Sequence, residues 1–188
     1  MKYDRQDVIE KATAFFWKKG FHATSMRNLQ EVIDMRPGSI YAGFGSKEGL
    51  FKEALQYYAN AGLERLAACA EATPSPLEAV KDFLKMAVSK SSPLPSDMCM
   101  LVKSIAELTE DNADLLAEAR RLLGTIQNAL AELLTQAKEC GELDESKNPQ
   151  RMARFLQMQL MGLHAYTRAY TGDIQVNELI DDAFACLQ

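Results

Sequence analysis

Apolar residues recur along this chain at intervals of three and four, and no run alternates with period two, so the pattern predicts helices and no strand. Over residues 4–19, Val8, Ile9, Ala12, Phe15 and Phe16 fall on one helical face, and Gly20 supplies a stop. Thr24 or Ser25 caps a second helix, whose apolar positions are Met26, Leu29, Val32 and Ile33. It ends at Arg36, because Pro37 pushes the residue before it out of the α region. Pro37 fits the first position of a short third helix, where its missing N–H is not needed. There Ile40 and Phe44, four apart, take the buried side, and the opposite side is small and polar. Gly45 breaks the chain again and Ser46 caps a fourth helix carrying Leu50, Phe51, Ala54, Leu55, Tyr58, Leu66 and Cys69. With no strong breaker before Thr73, that helix runs about 24 residues, or about 36 Å.

The rest of the chain repeats this grammar. Thr73 to Pro76 is a break, followed by a helix through Leu77, Val80, Phe83, Leu84, Met86 and Ala87. Residues 91–97, SSPLPSD, read as a loop, and residues 98–108 as a short apolar helix. Asp111 or Asn112 caps the longest run, with Leu115, Ala119, Leu122, Ile126, Leu130, Leu133, Ala137 and Cys140 on one stripe and Gly141 as its end. Asn148 and Pro149 start a helix through Met152, Phe155, Leu156, Leu160, Leu163, Tyr166 and Tyr170. Gly172 ends it, and Asp173 caps the last helix, with Ile174, Leu179, Ile180, Phe184 and Leu187 on its apolar face. The expected architecture is all-α: a small three-helix head over residues 1–55 with Phe16 and Phe21 closing its core, and a helical bundle of five or six members over residues 56–188. The last two helices are apolar on more than one face, which calls for a partner surface.

Charge is unevenly spread. The chain of 188 residues has a net charge of −5, which argues against a general nucleic-acid coat. Yet residues 1–60 hold nine Lys or Arg against seven acids, and the remainder twelve against nineteen. A basic head on an acidic body suits a protein that meets phosphates at one end. No window of about 18 apolar residues offers a membrane span, and the start MKYDRQDVIEKA lacks a signal-peptide core, so a cytoplasmic protein is expected. Cys69, Cys99, Cys140 and Cys186 are far apart and never form a CxxC pair, and His22 and His164 are the only histidines. Neither a metal site nor a cofactor is expected, and no phosphate loop or nucleophile elbow is present.

Two short helices joined by a tight turn, the second exposing small polar groups, describe a helix-turn-helix whose second member fits a DNA major groove. Thr24, Leu29 with Val32, the turn, Tyr41, Phe44 and Ser46-Lys47-Glu48 stand in the order of a known signature. Across Val8 to Leu55 the chain resembles the TetR family of bacterial transcriptional repressors; beyond it, only the order and length of the helices agree. There are two departures: Arg36-Pro37 stands where the family usually has a Ser or Thr cap, and Gly43 where many members carry a larger residue. The resemblance implies that Tyr41 and Lys47 contact phosphates. Arg36, Ser39 and Arg27 are the better candidates for base edges, since Arg offers guanine a bidentate pair. Pro37 and Gly38 complete the expected DNA-facing set. The resemblance further implies a homodimer through the last two helices, here assigned to Phe155, Gln159, Leu163, Ile180 and Phe184, and a body that binds a small effector.

The body's methionines and aromatics are first of all core fillers, and flexible thioethers also suit a pocket for varied apolar ligands. Leu66, Phe83, Met86, Met100, Leu122, Ile126 and Tyr166 are the assigned pocket residues. Glu107 reads as a surface charge ahead of its alternative, a buried acid that recognises a cationic effector. His22 reads as a loop residue and His164 as a bundle or interface residue. The cysteines read as small core residues, with Cys99 the candidate redox thiol. The expected function is a homodimeric repressor, not an enzyme, that binds a palindromic double-stranded operator and is released by a small apolar effector. The rival is a helical-bundle carrier or enzyme without DNA binding; against it stands the absence of a base, nucleophile and orienting residue at recognisable spacing.

Overall fold

A computed structural model of the protein describes residues 4–89, 95–170 and 175–185. The chain forms α1 (Arg5–Lys19), α2 (Met26–Ile33), α3 (Pro37–Phe44), α4 (Lys47–Ala72), α5 (Pro76–Val88), α6 (Met100–Glu107), α7 (Ala113–Glu139), α8 (Pro149–Ala169) and α9 (Val176–Ala185). A 3-10 turn, Glu110–Asn112, precedes α7, and the described residues contain no strand. Gly172, Asp173, Ile174, Cys186, Leu187 and most of the 91–97 loop lie outside the described residues.

The helix ends follow local chemistry. Asp4 caps α1 by accepting the N–H groups of Gln6 and Asp7, Ser75 caps α5 and Asn148 caps α8. Of the two candidates before α2, Ser25 is the cap: its Oγ accepts the Asn28 N–H while Asn28 reaches back to the Ser25 N–H. Thr24 is buried instead, its hydroxyl donating to the Gly20 carbonyl at 2.6 Å. Pro37 opens α3 as expected, and Arg36 makes no side-chain cap bond. The short helix expected over 98–108 starts later, at Met100, because Ser96 Oγ takes the Met98 N–H. Asn112 does not cap α7, since its buried Oδ1 accepts no hydrogen bond among the described residues.

The chain divides into two compact units. The first comprises Met1–Asn60 and Met100–Leu123; the second comprises Ala61–Cys99 and Gly124–Gln188. In the first, Phe51 meets Phe16 and Phe21 with ring centroids 4.8 and 4.9 Å apart, among fully buried Leu29, Ile40, Leu50 and Leu55. Trp17 packs edge-on to Tyr58 at 5.0 Å. In the second, α5, α8 and α9 pack on one another around a core that includes Val80, Phe83, Leu84, Leu130, Leu134, Leu156, Leu163, Ile180 and Phe184. Lys81 and Lys85 both reach Asp181, at 3.0 and 3.3 Å, and tie α5 to α9.

Candidate nucleic-acid interface

α2, a turn and α3 form the helix-turn-helix. Asp34 closes α2 in the left-handed conformation (φ 52, ψ 48), one that a short polar side chain tolerates, and Met35 is tucked in behind it. Ile40 and Phe44 anchor α3 in the core, which leaves Arg36, Pro37, Gly38, Ser39 and Tyr41 exposed. Tyr41 is 52% exposed. Without a Cβ at Gly38 to meet anything within 4 Å, this side of α3 is open. Arg27 is exposed on α2 and pairs with Glu31, at 3.2 Å; a pair this open to water costs little to break.

α3 is held firmly at its C-terminal end. Its C-terminus is gripped by Arg5, which sequence reading missed. One Nη donates to the Gly43 carbonyl at 3.0 Å, the other pairs with Glu53 on α4, and the guanidinium lies 4.5 Å from the centre of the Phe44 ring. The turn into α4 is equally tight: Ser46 Oγ accepts the Gly49 N–H at 3.1 Å, and a Cβ on Gly49 would lie 2.0 Å from the Phe44 carbonyl oxygen.

Lys47 is held more firmly than an exposed phosphate contact would be. Its Nζ donates to the carbonyls of Phe21 and Thr24, both at 2.9 Å, and lies 4.0 Å from the centre of the Phe21 ring. Burial pushes its pKa down from the ordinary lysine value, while Glu48 and Glu107 act to hold it up. Two of its three N–H groups are therefore taken by main-chain carbonyls.

Glu107 departs from its expected role as a surface charge. It is half-buried at the end of α6 and accepts the Phe21 N–H at 2.7 Å. Its partner lies 86 residues away, which no local pattern announces. His22 is exposed, as expected for a loop residue, with its ring 5.4 Å from that of Phe21.

Among the residues assigned to a pocket, Leu66, Phe83, Met100, Leu122 and Ile126 are buried, whereas Met86 and Tyr166 stand 53% and 44% exposed. Met100 and Leu122 belong to the first unit and the others to the second. Of those assigned to a dimer face, Leu163, Ile180 and Phe184 lie in the chain's own core, because the inward seams of α8 and α9 close on α5. Phe155 and Gln159 are half-buried, and the strongly exposed apolar residues of α8, its C-cap and α9 are Met158, Tyr166, Tyr170 and Leu179. Cys99 is a half-buried free thiol immediately before α6; Cys140 is exposed. Cys69 is buried, its thiol donates to Met86 Sδ at 3.6 Å, and burial pushes its pKa up. His164 Nδ1 bonds the Asp97 carbonyl at 2.9 Å. Among the described residues no helix is long and apolar enough to cross a membrane.

Comparison with known proteins agrees with this geometry. The HTH-type transcriptional repressor ComR of Escherichia coli K12 is 27% identical over 175 residues, 88% of this chain and 80% of ComR. A solved structure of the TetR-family regulator CifR, complexed with 26-bp double-strand operator DNA, shares the fold with a TM-score of 0.86 at 24% identity, covering 100% of this chain and 99% of that one. The reduced form of E. coli NemR shares it with a TM-score of 0.80 at 18% identity, covering 98% and 95%. Residues 8–54 match the bacterial regulatory proteins of the tetR family, and residues 76–182 match the tetracyclin repressor-like C-terminal domain. With its helix-turn-helix and most of its length so matched, this chain belongs to the TetR family of bacterial transcriptional regulators.

Proposed function

We propose that this regulator is a cytoplasmic repressor that binds a palindromic double-stranded operator as a homodimer and leaves it when a small apolar effector binds the body. The observation that carries the reading is the open face of α3, where Arg36, Pro37, Gly38, Ser39 and Tyr41 stand exposed on a helix anchored by Ile40 and Phe44. Such a face enters a major groove without steric conflict. Tyr41 and the remaining N–H of Lys47 contact phosphates, and Arg36, Ser39 and Arg27 read base edges. CifR on its operator and ComR as a repressor support the same use of the fold.

The second copy covers Met158, Tyr166, Tyr170 and Leu179, with Phe155 and Gln159 beside them; four exposed large apolar side chains on neighbouring elements are a surface that water disfavours. Release follows from α4, one uninterrupted helix of 26 residues, about 39 Å, whose residues 47–60 belong to the first unit and 61–72 to the second. An effector that favours the DNA-incompetent arrangement by about 2.7 kcal/mol weakens operator binding about a hundredfold.

An electrophoretic shift with the DNA upstream of the protein's own gene tests the reading. A shift is expected, with Lys47→Ala lowering the slope of log affinity against log salt by about one and Arg36→Ala changing base preference. A dimer that shifts neither this DNA nor selected palindromes overturns it in favour of a carrier or enzyme. The half-buried thiol of Cys99 supports a second trigger, an electrophile; Cys99→Ser abolishes that response alone.

A further inference from the structure

The link between α1 and α2 is bonded by side chains from two other helices, and two of these partners come from α6. Lys103 Nζ donates to the carbonyls of Trp17 and Lys18, at 2.8 and 3.0 Å. These are last-turn carbonyls of α1, the helix end that favours a nearby cation. One turn further along α6, Glu107 Oε1 accepts the Phe21 N–H. Gly20, at φ 90, makes the approach possible, because a Cβ there would lie 2.3 Å from Glu107 Oε2. Lys47 takes the Phe21 and Thr24 carbonyls, and Ser25, the next residue, caps the first helix of the DNA-binding motif. Phe21 is thus held between an acid on α6 and an ammonium on α4.

We infer that Lys103 and Glu107 are positioning residues for DNA binding, a polar latch on α6 that fixes the α1–α2 link and with it the entry of the helix-turn-helix. The inference rests on the repressor reading above. It assigns a role to two residues that touch no DNA: Glu107 sets Phe21, Phe21 sets Lys47, and Lys47 starts α4 behind α3. Charge-assisted bonds of this kind are among the stronger hydrogen bonds, and these lie on the link that leads directly into α2.

The test is operator binding by Glu107→Ala, Glu107→Gln and Lys103→Met in the full-length protein, measured by fluorescence anisotropy at several salt concentrations, with the folded fraction followed by circular dichroism. Glu107→Ala is expected to weaken binding roughly tenfold, the scale of one lost hydrogen bond to a charged group. The salt slope stays at the wild-type value, because no phosphate contact is removed. Glu107→Gln keeps an acceptor for the Phe21 N–H and recovers most of the affinity. Exchange of the Phe21 amide quickens in Glu107→Ala. Wild-type affinity in Glu107→Ala, a loss that only tracks the unfolded fraction, or a Glu107→Gln as weak as the alanine variant each overturns the latch. Should Glu107→Ala not fold, Lys103→Met must weaken binding with the slope unchanged, and wild-type binding by it is equally fatal. If the wild-type protein binds no operator, the repressor reading fails instead, a different result from an operator bound equally by all variants.

Discussion

The same substitution, glycine to alanine, is expected to act with opposite sign at two helical positions of this protein. At Gly49 the added Cβ would lie 2.0 Å from the Phe44 carbonyl oxygen, and real Cβ atoms essentially never come within 3.0 Å of such an atom, so about 1 Å of backbone movement is required. The obstacle is main chain and cannot swing aside as a side chain would. That carbonyl also accepts the Ser46 N–H at 2.9 Å, so the movement strains the turn that links α3 to α4. Overpacking of this kind costs about 1–3 kcal/mol and a weakened backbone bond about 1 more, against about 1 kcal/mol returned by helix propensity. Gly49→Ala should therefore destabilise by about 1–3 kcal/mol. Gly124, inside α7, has nothing within 4 Å of its would-be Cβ, so Gly124→Ala keeps only the propensity gain of about 1 kcal/mol. Urea unfolding followed by circular dichroism should separate the two variants by about 2–4 kcal/mol, readable as a midpoint difference of about 1–2 M. Equal midpoints would refute the reasoning, because the α3–α4 turn would then yield without cost.

Other expectations follow from burial and charge. Burial lowers the pKa of His164 below 6.5, so the unfolded chain takes up its proton first; the stability this group leaves intact above pH 6.5 is lost as pH falls, and His164→Gln should flatten that acid limb in urea midpoints measured from pH 7.5 to 5. Leu130, fully buried in the second unit's core, should cost about 2–5 kcal/mol when cut to alanine, measured by the same unfolding. Met158→Glu, at a position 61% exposed, should yield a folded monomer in sedimentation, whereas Leu163→Glu, at 7%, should unfold the chain; a dimeric Met158→Glu would remove this patch from the interface.

Much of the fold was legible because its signals are local. Pro37, Gly45 and Asn148 act on their immediate neighbours, and α3 and α8 begin or end where they stand, whereas α2, expected to run to Arg36, already ends at Ile33 with Asp34 in the left-handed conformation. Between adjacent candidates the signal was thinner: Thr24 and Ser25 are both good caps, and only the hydroxyl's alternative partner at Gly20 decides. Val32 sits at an apolar spacing yet is 38% exposed, because the eight-residue α2 turns just Leu29 and Ile33 fully inward. The exposed set on α3 was readable from spacing. Arg5, Lys103 and Glu107 were not, since each finds its partner far along the chain and periodicity carries no information on which charge meets which carbonyl. The same blindness affects α8 and α9: their apolar positions lie on more than one face, and which of them α5 covers depends on packing.

The membership of α6 also bears on how such regulators could be recombined. By sequence match α6 falls inside residues 76–182, the stretch akin to the tetracyclin repressor's C-terminal domain, yet it packs with residues 1–60. A chimera spliced near residue 60, carrying this head onto a relative's body, would import whatever that relative has in place of Lys103 and Glu107. The Trp17 and Lys18 carbonyls and the Phe21 N–H would then face a foreign helix, and a graft that conserves every DNA-facing residue could still bind poorly. A transplant that keeps residues 100–123 with the head should transfer operator preference where the simpler splice does not.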